Sequence, residues 1–171
     1  MNRDNKNKWD TTLRFMEEDR RRKIRLEKEE KRMKIITNRK LLSARCLSLP
    51  YKESRVIANK MILFLLSHKN IAKNTVGLAC NQLGLEGRVI IIRNKNKWDR
   101  YINPIICRRS EEKVTLDEEC LSLPSKSFPI ERHSSIRMVS SQKGFKDFKG
   151  FQARIIQHEV DHLNGILIAD K

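Results

Sequence analysis

The stretch Gly150-Phe151-Gln152-Ala153-Arg154-Ile155-Ile156-Gln157-His158-Glu159-Val160-Asp161-His162 decides how the rest of the chain is read. It reads as a helix that opens near Gly150 and runs through His162. Asn164-Gly165 is its stop, because glycine takes the left-handed conformation after a helix without strain. Two histidines four apart on a helix share one face, with Cβ atoms about 5–6 Å apart. Both imidazoles can then reach one metal ion at roughly 2.1 Å. Glu159, beside the first histidine, is placed to take a proton from water at that ion. The run points to metal-assisted hydrolysis. It lacks a third ligand, and only nine residues follow His162, so the third ligand is sought upstream.

Working outward from this helix, Gly144 between polar residues marks a hairpin turn. Ile136 to Ser140, Val114 to Leu123, Ile102 to Cys107, Arg88 to Arg93 and Val76 to Gln82 are strand candidates. The continuous apolar run Val89-Ile90-Ile91-Ile92 predicts a buried strand. Lys69 to Asn74 is a polar connection. Glu53 to His68 reads as a helix with Val56, Ile57, Met61, Phe64 and Leu65 as its apolar stripe. Helix, several strands, then a metal-bearing helix is the element order of an α+β domain.

The 171 residues suffice for one domain and are short for two. Residues 1–32 differ from the rest. They are dense in Arg, Lys and Glu with few aliphatics, and predict a basic polar extension, helical or disordered. Residues 33–171 carry the globular composition. The net charge of +16 draws such a chain to polyanions, although a Lys-rich composition without a specific partner explains the charge equally well. The longest apolar run, Met61 to Leu66, is too short to span a membrane. Cys46, Cys80, Cys107 and Cys120 form no Cys-x-x-Cys pair, and no apolar leader precedes them, so a reducing compartment is expected.

The third ligand must be His, Cys, Asp or Glu, leaving one position open for water. His68 and His133 lie among polar residues and read as surface histidines. Cys46 and Cys120 open the same string, Cys-Leu-Ser-Leu-Pro. Cys120 alone has acidic neighbours before it, and spacing does not choose between the two.

Three segments together resemble the signature motifs of peptide deformylases. Thr75-Val76-Gly77-Leu78-Ala79-Cys80-Asn81-Gln82 is similar to the first, a Gly-x-Gly-Leu-Ala-Ala-x-Gln pattern. Glu118-Glu119-Cys120-Leu121-Ser122 is similar to Glu-Gly-Cys-Leu-Ser, and Gln157 to His162 matches Gln-His-Glu-x-Asp-His. Ile102-Asn103-Pro104 also fits, and the resemblance covers roughly residues 33–171. It implies small antiparallel or mixed sheets around the C-terminal metal-binding helix, with the first helix packing on the outside. It implies Cys120, His158 and His162 as ligands of one divalent ion, Fe²⁺ foremost with Zn²⁺ also able to occupy the site. Glu159 is then the proton shuttle, and the Gln82 side-chain amide and the Leu121 backbone N–H are the oxyanion donors. Gly77 would let the backbone approach the substrate. Val76, Leu116 and Ile155, with Phe151 and Ile130 beside them, are candidates for the methionine pocket, although apolar residues near a metal helix are as readily core. Asp161 is expected to hold Arg132 or a backbone group.

The implied activity is removal of the formyl group from N-formylmethionine at the start of nascent peptides. The expected partners are formyl-methionyl peptides and the ribosome, the latter through the basic surface and residues 1–32, with no membrane association. The compartment is the cytoplasm of a bacterium or of a virus-infected bacterial host, with an organelle as the alternative. Two other readings compete: a deformylase-like binding protein without turnover, associated with the ribosome or RNA, and an HExxH zinc peptidase. The second is disfavoured because Asp170 is the only acidic residue after His162. Departures from the family pattern bear on efficiency. Glu119 stands in place of glycine and would be strained if φ were positive there. Its carboxylate would also lie near the substrate entrance. Thr75 replaces the first glycine, Cys80 an alanine, and Arg154, in place of an apolar residue, is expected to narrow or polarise the methionine pocket.

Overall fold

The computed structural model describes residues 13–21, 33–141 and 143–171. Residues 13–21 are helical (α1) and solvent-exposed along their whole length. Glu17 and Arg21, four apart, pair at 3.9 Å. The remainder of the 1–32 extension, apart from this helix, lies outside the described residues.

Residues 34–171 form a compact unit of their own. Short helices α2 (Arg39–Leu42) and α4 (Lys69–Asn74) flank the long α3 (Tyr51–Ser67), and α5 (Gly150–Leu163) is followed by a 3-10 turn, Ile168–Asp170. Among the described residues eight strands make three small sheets, all paired antiparallel. The first joins β1 (Gly77–Ala79), β2 (Val89–Asn94) and β3 (Lys97–Ile102). The second orders β4 (Ile105–Arg109), β7 (Ser135–Ser140) and β8 (Gly144–Lys149). The third pairs β5 (Lys113–Cys120) with β6 (Leu123–His133). The α+β expectation holds.

The apolar runs explain the core. Val89, Ile90, Ile91 and Ile92 are all buried on β2, as a strand covered on both faces should be. α3 lies against β2 and β3, and α5 against β1 and β2. Met61, Phe64, Ile156 and Leu163 are fully enclosed between them, each contributing about 1.5–3 kcal/mol relative to exposure. The buried face of α3 is Ser54, Ala58, Met61, Phe64 and Leu65, and Val56 is 55% exposed. The stripe is therefore rotated from the one expected, because small Ser54 and Ala58 let the helix approach the sheet closely.

Several boundaries moved for local reasons. Ile102 to Cys107 is two strands, because Asn103 takes a left-handed φ of 49° between them. Val76 to Gln82 is extended only over β1; a 3-10 turn, Cys80–Leu83, follows and ends at Gly84, φ 66°. Lys69 to Asn74 is α4 rather than a loop. Strands β3, β6 and β8 were not among the expected strands, although the hairpin turn read at Gly144 leads into β8. In β6, Pro124 and Pro129 mask the pattern, and a two-stranded sheet tolerates them because each strand keeps a free edge. Among the described residues no helix is long and apolar enough to cross a membrane.

The stop at Asn164-Gly165 is a Schellman cap. The Gly165 N–H donates to His162 O at 3.1 Å and the Ile166 N–H to Asp161 O at 2.9 Å. Gly165 has φ +75°, and a Cβ there would meet the Ser43 carbonyl oxygen at 2.3 Å. Gly165→Ala should therefore lower unfolding stability by about 2 kcal/mol, read from urea denaturation. An unchanged midpoint would show that the turn relaxes without cost.

Candidate metal centre

β5 ends in a tight turn at Leu121-Ser122, with Cys120 opposite Leu123 in register and a bulge between Glu119 and Cys120. The turn delivers Cys120 to the face of α5 that carries His158 and His162. One donor atom from each of the three lies within 4.8 Å of the others. Cys120 Sγ is 3.2 Å from His162 Nε2. The chain thus brings together two helix residues and a strand residue that spacing could not choose. Cys46 is only partly buried and lies elsewhere, with its N–H on Leu163 O.

The three donors fit a metal ion. A thiol and two imidazoles are buried with their donor atoms converging, a set suited to several transition metals. Beside them, His162 Nδ1 and Glu159 Oε2 are buried with no hydrogen-bond partner among the described residues. Burial, with the charge of His158 adding to it, pushes His162 down to about 3, which keeps it neutral and ready to ligate. Burial also opposes protonation of His158, but the Cys120 sulfur and the Glu118 carboxylate outweigh it and lift His158 to about 10.

Glu118 is the residue that sequence reasoning missed. Its Oε1 accepts from Arg132 Nε at 2.7 Å and from Arg154 Nη1 at 2.6 Å. Its Oε2 accepts from Arg132 Nη2 at 2.8 Å and bonds His158 Nδ1 at 2.9 Å. Fixing Nδ1 in this way leaves Nε2 of His158 for the metal. Burial opposes ionisation of Glu118, but Arg132 and His158 hold the carboxyl well below its usual range. Arg132 is shared: its Nη1 donates to Asp161 Oδ2 at 2.5 Å, the partnership expected of Asp161. Arg154 does not polarise the pocket as a free charge. Besides Glu118, its guanidinium donates to Ile130 O at 3.0 Å and to Val114 O.

Glu159 is 4% exposed, and burial pushes its carboxyl up to about 7 despite the opposing pull of His158 and Arg132. Gly77 makes room for it: a Cβ on Gly77 would sit 2.5 Å from Glu159 Oε1 and 2.6 Å from Ile155 Cγ2. The close approach attributed to Gly77 is thus first an approach to this carboxylate. Gln82 is buried; its Oε1 accepts from the Ala79 N–H at 2.9 Å, and its Nε2 donates to Ser122 Oγ at 3.2 Å and faces Cys120 Sγ at 3.5 Å. Among the described residues, none of the turn and loop bonds uses the Leu121 N–H.

A cavity of about 390 Å³ opens over these groups. Val76, Gly77, Gln82, Leu121, Ile155 and Phe151 line it, together with His158 and Glu159. Two expected pocket residues do not. The β5 wall begins at Asp117, so Leu116 lies beyond it and is 50% exposed. Ile130 is buried behind Cys120, in a cluster with Leu42, Leu123 and Leu167. Glu119 carries no strain, because the positive-φ residues other than glycine are Lys95, Asn103 and Ser125 among those described. The remaining histidines are half-buried rather than free on the surface. His68 stacks on Phe64 at 4.3 Å, and His133 Nδ1 meets Ser110 O at 2.6 Å. Thr75 caps the turn before β1, its hydroxyl donating to Ile71 O at 2.7 Å. Cys80 is buried with its thiol on Gly87 O at 2.9 Å.

A family model described as polypeptide deformylase matches residues 29–171. Peptide deformylase 1 of Clostridium perfringens is 39% identical over 103 residues, covering 57% of this chain and 69% of that protein. Across the most similar curated relatives, the aligned segments span 57–69% of their lengths. The K1U-bound crystal structure of the class I type b peptide deformylase from Acinetobacter baumannii superposes with a TM-score of 0.71 at 29% identity, covering 81% of this chain and 98% of that one. The Met-Ala-Ser-bound structure of the same enzyme gives 0.68 at 28%, covering 81% and 96%.

Proposed function

Because the chain belongs to the polypeptide deformylase family, enzymes that remove the formyl group from nascent peptides, we propose that the centre over α5 performs this hydrolysis with Cys120, His158 and His162 as ligands of one divalent ion. The observation that carries the reading is the convergence of those three donors beside the buried, unpartnered carboxylate of Glu159. A divalent ion held there supplies Lewis acidity, polarising a carbonyl and making water nucleophilic at neutral pH. A soft thiolate with two imidazoles suits Fe²⁺ and Zn²⁺, and Fe²⁺ is the ion we assign.

The protein's own groups do the rest. Glu159, with its proton affinity raised to near neutrality, accepts a proton from the attacking water and returns it to the leaving amine. The Gln82 amide and the Leu121 N–H stabilise the oxyanion that forms as the formyl carbon becomes tetrahedral. Val76, Ile155 and Phe151 take the methionine side chain. The cavity lies between β1 and β5, and each is an edge strand of its sheet. An extended peptide can therefore satisfy its backbone groups against them, as in strand addition.

The proposed substrate is a peptide with formylmethionine at its start, and the proposed site of action is the ribosome. The charge that would bring the chain there is not confined to the extension. Residues 1–32 hold 12 Lys and Arg against 8 Asp and Glu, and residues 33–171 hold 25 against 13. Formate release from a formyl-Met peptide, with the protein loaded anaerobically with Fe²⁺ and separately with Zn²⁺, tests the reaction. Release that chelator abolishes is expected. Cleavage of an unformylated peptide bond, or no formate with either metal, would overturn it.

A further inference from the structure

We propose that Asp117 and Glu119 make the mouth of the cavity selective for formylated peptides that carry lysine or arginine in the first positions after methionine. The inference rests on reading the cavity as the formyl-peptide site. Both residues are exposed and both line the cavity. They stand two apart on β5, so they lie on one side of the strand. Opposite them in the ladder are Pro129 and Ser127, neither of which carries charge. Among the described residues no Lys or Arg pairs with either carboxylate.

Apart from Glu159, which belongs to the candidate metal centre, the other charged side chains lining the cavity are already matched. Among the described residues the cations in the lining are Arg154 and His158, and both are taken by Glu118. Glu118 in turn is matched by Arg132, Arg154 and His158. Asp117 and Glu119 are therefore uncompensated negative charges at the entrance of a body in which Lys and Arg outnumber Asp and Glu by nearly two to one. Glu119 stands where the deformylase motif quoted above has glycine, and it brings a carboxylate to that position.

The geometry sets which part of the substrate meets them. The metal donors lie at the Cys120 end of β5, and the strand's edge is free. A peptide paired along that edge advances about 3.3 Å per residue. Leaving its formyl group at Cys120, it passes Glu119 first and Asp117 about two residues later. A lysine or arginine side chain at either point reaches a carboxylate without leaving solvent. Screening over about 10 Å at 0.1 M salt weakens the long-range repulsion from the basic body more than these contacts.

Formate release from formyl-Met-Lys-Ser, formyl-Met-Ala-Ser and formyl-Met-Glu-Ser by the full-length, metal-loaded protein tests the proposal. The lysine peptide should show a KM about two- to fivefold below the alanine peptide, the range one exposed ion pair gives, and the glutamate peptide a higher one. In the Asp117→Asn/Glu119→Gln double variant the lysine-to-glutamate KM ratio should collapse to within about twofold, while raising salt should shrink it in the parent protein. Equal KM values in the parent, or a ratio the double variant leaves intact, would overturn the preference alone. No formate from any of the three peptides would overturn the site reading and the preference with it.

Discussion

Glu159→Gln should lower kcat for formate release by about 10²–10⁴-fold, the contribution typical of a positioned acid–base group, while metal content stays at one ion per chain. Glutamine keeps the volume and one carbonyl oxygen, so Gly77 and Ile155, which crowd this side chain, need not move. What it cannot do is carry a proton. The wild-type carboxylate is suited to that task because burial raises it to about 7, close to the pH at which it would work. Kinetics on purified variant protein, with metal stoichiometry measured on the same sample, read the effect. A variant that loses the ion along with activity would make Glu159 a structural support of the site rather than a proton carrier.

The same substitution should act in the opposite direction on folding. A buried acid whose folded pKa lies above its unfolded value binds more protons in the native state between the two. Stability therefore falls as pH rises from about 4.5 to about 7, by on the order of 3 kcal/mol once both values are passed. Metal-free Glu159→Gln should consequently unfold at a higher urea concentration than the metal-free parent at pH 8, with the two converging near pH 4. A residue retained for packing alone would not show activity and stability moving apart in this way.

The helical part of this centre was readable because spacing on one helix is geometry. His158, Glu159 and His162 follow from the 3.6-residue turn. Their third partner arrives from β5 through a two-residue turn, and nothing in local spacing separates Cys120 from Cys46, which opens the same string. Glu118 was hidden differently. In the run Asp117-Glu118-Glu119 three carboxylates look like one solvated face, and only the strand's alternation sends the middle one inward to two arginines. The signal available was Arg154, a charge among the apolar residues Ala153, Ile155 and Ile156 of the helix, whereas Arg132 sits in the polar run Glu131 to Ser135 and gave none. Arg154 was instead read as an intruder in the substrate pocket, because a charge on a core-facing helix position has no visible partner until the strands are in place. Among the elements, β2 declared itself by four consecutive β-branched residues, whereas β6 was concealed by two prolines that only an edge strand accepts.

Glu118→Ala should destabilise the metal-free protein by about 3–5 kcal/mol, the cost of stripping the partner from a buried charge. For a chain of this size that is a fall in Tm of roughly 6–20 °C. Arg132 and Arg154 are 3% and 6% exposed. Without Glu118, Arg132 keeps Asp161, but Arg154 is left with only the carbonyls of Ile130 and Val114. Because the carboxyl is held below its ordinary range, its stabilisation is complete above the unfolded carboxylate pKa of about 4.3 and is lost as pH falls further. The gap between parent and variant should narrow in acid. Metal affinity should also fall by about 10–100-fold, since His158 Nδ1 loses the acceptor that orients the ring. Arg154→Met separates the two effects. It removes one cation but leaves Glu118 with Arg132 and His158, so it should cost less stability than Glu118→Ala and keep the parent's metal affinity. If Arg154→Met weakened the metal as much as Glu118→Ala, the carboxylate would owe its position to Arg154, and the orienting role would belong to the three residues as one unit.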